Sequence, residues 1–87
     1  MRKMEEVRAL LTSLMTTSFQ MPQTIVENHF SEPLTGSTFR FDSIQMVYFI
    51  LEIMKHFDIR FSNSALKQCF KWSLSQYCQY IVDNGAS

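Results

Sequence analysis

Glycine and proline are scarce in this chain, with two of each among 87 residues. That scarcity argues against a turn-rich all-β barrel and against low-complexity disorder. A surplus of charge is missing too: eight basic side chains meet eight acidic ones, for a formal net charge of zero. With no bulk field and no cluster of basic residues, neither nucleic acid nor an anionic membrane is expected as a partner. Cysteine is limited to Cys69 and Cys78, too few for a disulfide-stapled secreted scaffold. Their separation matches neither a C-x-x-C redox pair nor a zinc site, and His29 and His56 are scattered, so no metal is expected. Buried packing of two reduced thiols is the better reading.

Long hydrophobic runs are also absent. The longest, Met46 to Leu51, falls far short of the roughly 20 residues that cross a bilayer. Arg2 and Lys3 resemble the start of a signal peptide, but Glu5, Glu6 and Arg8 interrupt any apolar stretch. The default expectation is an intracellular, cytoplasmic protein. What the chain does have is apolar mass: 46% hydrophobic residues, including eight Phe and six Met. That suffices for one compact core, and this length fits one domain over residues 1–87.

The pattern is helical. Met4, Val7, Leu10, Leu11, Leu14, Met15 and Phe19 recur at three- and four-residue steps, which predicts a helix over about 4–19 with one buried stripe. Glu5 and Glu6 favourably oppose its positive end, and Pro22 ends or redirects it. Residues 20–42 read as a long connection, with a short helical turn opening at Pro22 and running through Ile25 and Val26. Pro33 and Gly36 are breakers within it. Phe30, Leu34, Phe39 and Phe41 are expected to pin this connection to the helices. Asp42 is a favoured N-cap for a second strong helix, about 43–57. Asp58-Ile59-Arg60-Phe61 alternates and reads as an extended connector. Ser62 or Asn63 caps a brief helix through Ala65, Leu66, Cys69 and Phe70. A last helix, about 73–82, puts Leu74, Tyr77, Cys78, Ile81 and Val82 on one face, stopped by Asp83-Asn84-Gly85. The expected architecture is all-α, three longer helices and one short one, with a long loop between the first and second.

The second helix carries more apolar surface than one core needs. Met46, Val47, Phe49, Ile50, Ile53 and Phe57 lie on one side. Ile44, Tyr48, Leu51 and Lys55 form a second stripe at steps of four, three and four, with Met54 at its flank. Either the long loop covers that stripe or it faces a partner, possession of two stripes being unusual for a helix in a small bundle. Ser43 stands where loop meets helix. A phosphate attached there lies near free N–H groups and the positive helix end.

Asp42-Ser43-Ile44 resembles the Asp-Ser-Leu motif of acyl carrier proteins. It sits about midway along the chain, after a helix and a long loop. The run Leu51-Glu52-Ile53-Met54-Lys55-His56-Phe57-Asp58-Ile59-Arg60-Phe61 is similar to that family's second helix and its Phe-Asp-Ile exit, and Ser73 to Ile81 resembles its final helix. The resemblance implies an acyl-carrier-like four-helix bundle. It also implies that a phosphopantetheinyl transferase attaches 4′-phosphopantetheine to Ser43, with Asp42 as the cap beside it. Acyl groups then ride as thioesters on the arm, and Ile44, Tyr48, Leu51, Met54 and Lys55 face the acyl-handling enzymes. The protein is then a carrier rather than an enzyme. Pro33-Leu34-Thr35-Gly36 further resembles a divergent subset, the acyl-carrier-related proteins of bacterial peptide maturation systems.

The chain departs from the family pattern in three ways. Phe39-Arg40-Phe41-Asp42 lacks the glycine usually found shortly before the Asp. Residues 43–57 contain one acidic residue, Glu52, and one fixed basic residue, Lys55, where the family's helix is typically acidic. The net charge is zero rather than strongly negative. Electrostatic steering is therefore expected to be weak, and a dedicated partner with an apolar groove is favoured. Two further readings follow: an unmodified carrier-like adaptor that binds a biosynthetic or peptide-maturation enzyme through the second helix, and a homodimer formed by the same face. A hydrolase built from Ser43, His29 or His56 and Asp58 has no support, since no G-x-S-x-G elbow is present.

Overall fold

The N-terminal helix, α1 (Met4–Ser18), follows the apolar periodicity and buries Val7, Leu11, Leu14 and Met15. The computed structural model describes residues 3–84. Met4 and Leu10, expected on the buried stripe, are instead exposed; a helix this close to the edge of a small core covers a narrower arc than its apolar residues span. The helix stops four residues before Pro22. Phe19 already lies outside it, because Gln20 takes a left-handed backbone with φ 55° that no helix can continue. The freed Phe19 ring then turns inward against Phe41 and Phe49, with centroids 4.9 and 5.8 Å apart.

The long connection is more ordered than a loop. Pro22 caps α2 (Gln23–Asn28), which buries Val26 and lies against α1. Beyond it, Phe30, Leu34, Phe39 and Phe41 are all buried in the common core, as their spacing predicted. The backbone between them is tied down by the short helices that follow later in the chain. Leu34 N–H donates to the Trp72 carbonyl at 3.3 Å, the Thr35 hydroxyl donates to the Phe70 carbonyl at 3.2 Å, and Pro33 makes an isolated antiparallel bridge with Ser73. Gly36 closes a turn onto the Pro33 carbonyl at 3.0 Å, and a side chain there would press that oxygen at 3.1 Å. Glu32 joins His29 and accepts from the Thr38 hydroxyl at 2.6 Å, drawing the two ends of this stretch together. These bonds hold its carboxyl below the usual range.

The third helix, α3 (Ser43–Phe57), buries Met46, Phe49, Ile50, Ile53 and Phe57. Asp58 ends it in the left-handed region at φ 52°. Ile59 and Phe61 then point inward from an extended connector while Arg60 points out, and no strand is present among the described residues. Ser62 accepts from Ala65 N–H at 3.1 Å and caps α4 (Asn63–Gln68), which runs into a single 3₁₀ turn, Cys69–Lys71. Ser73 opens α5 (Leu74–Asn84), exchanging hydrogen bonds with Gln76. Leu74, Tyr77, Cys78 and Ile81 are buried, Val82 only partly, and the Gly85 stop lies outside the described residues.

The described residues are thus all-α, and one hydrophobic cluster draws on every helix and on the long connection. Aromatic rings knit it: Phe49 meets Tyr77 edge-on at 5.1 Å, and Phe61, Trp72 and Tyr80 pack beside Tyr77. The Tyr77 hydroxyl donates to the Cys69 carbonyl at 2.6 Å, so the ring is buried without stranding its polar end. Both cysteines are buried and free, as their spacing suggested, and burial pushes both thiols upward, Cys78 to about 11. No helix among the described residues is long and apolar enough to cross a membrane, and no cluster of His, Cys, Asp and Glu among them is arranged to hold a metal ion.

Candidate functional site

The start of α3 is built by a reciprocal cap. Asp42 Oδ1 accepts from Gln45 N–H at 2.8 Å, while Gln45 Oε1 accepts from Asp42 N–H at 3.0 Å. Two amide hydrogens that a helix start normally leaves to solvent are satisfied in one exchange. Upstream, Phe41 N–H donates to the Leu34 carbonyl at 2.9 Å and the Phe41 ring is buried. The chain therefore enters the helix from a fixed anchor. Arg40, just before that anchor, holds φ 55°, the left-handed region that favours glycine.

Ser43 is the first residue of α3 and is exposed. Among the described residues its hydroxyl enters no side-chain hydrogen bond. The oxygen thus stands at the positive end of a 15-residue helix, where a phosphate group is electrostatically favoured. Nothing of the aromatic core closes over it.

The second stripe of α3 is uncovered. Ile44 is 80% exposed, Tyr48 52% and Leu51 55%, and Lys55 is exposed in line with them. The long connection packs on the other side of the helix. Met54, expected at the flank of this stripe, is half-buried and packs against the core. Tyr48 keeps one contact with the interior, its ring meeting Phe19 edge-on at 5.7 Å. Val47 corrects the sequence reading: assigned to the core side, it is 49% exposed and belongs to the bare face. It stands three residues after Ile44 and four before Leu51, a spacing that places it on their side of the helix. Glu52 pairs with His56 at 3.2 Å. The bare surface is therefore four apolar side chains with one lysine at its C-terminal end.

Clefts among the described residues include a polar groove between α1 and α2 beside Arg8 and Glu27, a smaller one between Leu10 and His56, and a shallow dish at Trp72 and Tyr80. His29, His56 and Ser43 are not brought together. His56 is thirteen residues along α3 from Ser43, about 20 Å at the helical rise. No family model, curated protein or solved structure matches this chain.

Proposed function

We propose that this chain is a carrier of the acyl carrier type, with the helices arranged as in that family's four-helix bundle and 4′-phosphopantetheine esterified to Ser43. Acyl intermediates travel as thioesters on the arm, and Ile44, Tyr48, Leu51, Met54 and Lys55, joined by Val47, meet the partner enzymes. The observation that carries this reading is the position of Ser43: exposed, free of side-chain partners, one residue past a reciprocal cap, and beside a bare apolar face. A tether needs no pocket, since its benefit is the raised effective concentration of cargo at a docked enzyme. With a net charge of zero, the partners that suit this face are acyl-handling or peptide-maturation enzymes with an apolar groove.

The test is covalent loading. Incubation with coenzyme A and a promiscuous phosphopantetheinyl transferase is expected to add the mass of one arm, and Ser43→Ala is expected to abolish the gain. Absence of any mass gain with several transferases rejects the reading. The second reading, an unmodified adaptor that binds an enzyme through the same face, is favoured by one observation: the face holds a single fixed charge, Lys55, unlike the acidic docking helix of the family. That reading stands if Ser43 stays unmodified while Leu51→Glu weakens capture of a partner enzyme and leaves the helical signal unchanged.

A further inference from the structure

Two side chains of the long connection share the carboxylate of a third. His29 caps the C-terminal end of α2, and Glu32 N–H donates to its carbonyl at 3.0 Å, a turn that brings the two side chains together. Glu32 Oε2 meets His29 Nδ1, and Glu32 Oε1 accepts from the Thr38 hydroxyl at 2.6 Å. The bonds from Thr38 and His29 hold this carboxyl below its ordinary range, so it is ionised at neutral pH. An ionised carboxylate offers only lone pairs, and both partners must therefore donate. His29 can do so only while Nδ1 carries a hydrogen. The imidazolium always carries one there. The neutral ring carries it in one of its two tautomers, and in the other a bare Nδ1 lone pair faces the carboxylate.

Other charged groups surround this stretch. From α1 comes Arg8, lying over the Phe30 ring at 4.0 Å, and from α2 comes Glu27, held by Gln23 at 3.4 Å. Past the turn at Gly36, Arg40 Nε donates to the Ser37 carbonyl at 3.2 Å, and Asp42 is engaged with Gln45. The 3₁₀ turn carries the exposed Lys71. The fifth helix meets the stretch where Ser75 donates to the Phe30 carbonyl, and its one charge, Asp83, stands eight residues further on. Among the described residues none of these forms an ion pair with His29 or Glu32.

We propose that His29, Glu32 and Thr38 form a proton-responsive clasp on the stretch leading into α3, closed by protonated His29 and loosened by neutral His29. The clasp is complete at the acid end of the range where imidazoles change charge, about pH 5–8, and slackens as the pH rises through it. Thr38 is followed by the buried Phe39, by Arg40 N–H donating to the Gly36 carbonyl at 2.9 Å, and by the buried Phe41. A proton taken up at the end of α2 is therefore felt four residues before the Asp42 cap. The His29 and Glu32 side chains are 35% and 43% exposed, so the ring trades protons with solvent directly and the effect is modest. This inference does not rest on modification of Ser43.

The test is a pH titration of the full chain by two-dimensional NMR, following the His29 ring together with the backbone amides. The Thr38 and Arg40 amides are expected to shift with the same midpoint as the His29 ring. Exchange of the Arg40 amide, corrected for the intrinsic effect of pH, is expected to speed up roughly two- to fivefold as the ring loses its proton, the range an exposed ion pair supports. In Glu32→Gln, which keeps the size of the side chain, and in Thr38→Val, the ring still titrates but the Arg40 amide no longer follows it. His56→Gln removes the other imidazole, which pairs with Glu52 on α3, and is expected to leave the response intact. An Arg40 amide that ignores the His29 ring, or that follows it equally in either clasp variant, overturns the proposal. So does a response that disappears with His56→Gln.

Discussion

The two sides of α3 carry the same kind of residue and have opposite fates. Met46, Phe49, Ile50, Ile53 and Phe57 disappear into a common core, while Ile44, Val47, Tyr48 and Leu51 stay in solvent. Hydrophobicity does not separate the two sets; coverage does. The inner side is met by the Phe19 and Phe41 rings and by Tyr77 of α5. On the outer side the Tyr48 ring meets Phe19 edge-on, and Ile44, Val47 and Leu51 keep about half or more of their surface exposed. The lesson is that the long connection, with five buried apolar residues, completes the core rather than shielding the helix.

The comparison can be broken most forcefully at its inner side. Phe49→Ala removes a fully buried ring at the junction of Phe19, Phe41 and Tyr77, and is expected to cost about 3–5 kcal/mol. Leu51→Ala on the outer side is expected to change stability by less than about 0.5 kcal/mol. Urea unfolding of the two variants measures the contrast directly, and equal losses would show that the outer stripe is covered after all.

A smaller effect is expected where the two sides begin. Asp42→Ala removes an acceptor from the first turn and breaks the exchange with Gln45. The expected loss is about 1 kcal/mol, read from the urea midpoint, and Asp42→Asn should recover most of it. A full recovery by Asn at Asp42 alongside no recovery by Ser would point to a size requirement instead of capping.

A pH-dependent effect reports on the core from beneath. Burial holds the Cys78 thiol neutral up to about 11, above its ordinary value of 9.0. The unfolded chain releases that proton first, so the stability this thiol contributes is complete below about pH 9 and declines as the pH climbs toward 11. Cys78→Ala should flatten that alkaline decline, and Leu51→Glu should leave it untouched. An unchanged alkaline slope in Cys78→Ala would assign the decline to another group.

Much of this was legible because helices announce themselves by period. The buried residues of α1, α3 and α5 mostly sit at three- and four-residue steps, and the apolar residues of the connection are too isolated to be anything but anchors. Coverage is a different matter. Val47, Met4 and Leu10 satisfy the period yet lie exposed, since period tells which residues share a side and not which side another element will meet. The end of α1 was hidden because Gln20 turns the chain without a glycine to mark it. The partner in the cap of α3 does have a signal in the sequence: Asp42 followed three residues later by Gln45 is the spacing of a reciprocal cap. Ser73 and Gln76 repeat it at α5.

That cap has a chemical corollary for the serine beside it. The nearest carboxylate is turned toward the Gln45 amide, and the histidine on the same helix stands at its far end. Left to itself, the alcohol at Ser43 has no general base to draw off its proton. On the proposed carrier reading, a transferase that esterified this oxygen would have to bring its own proton acceptor.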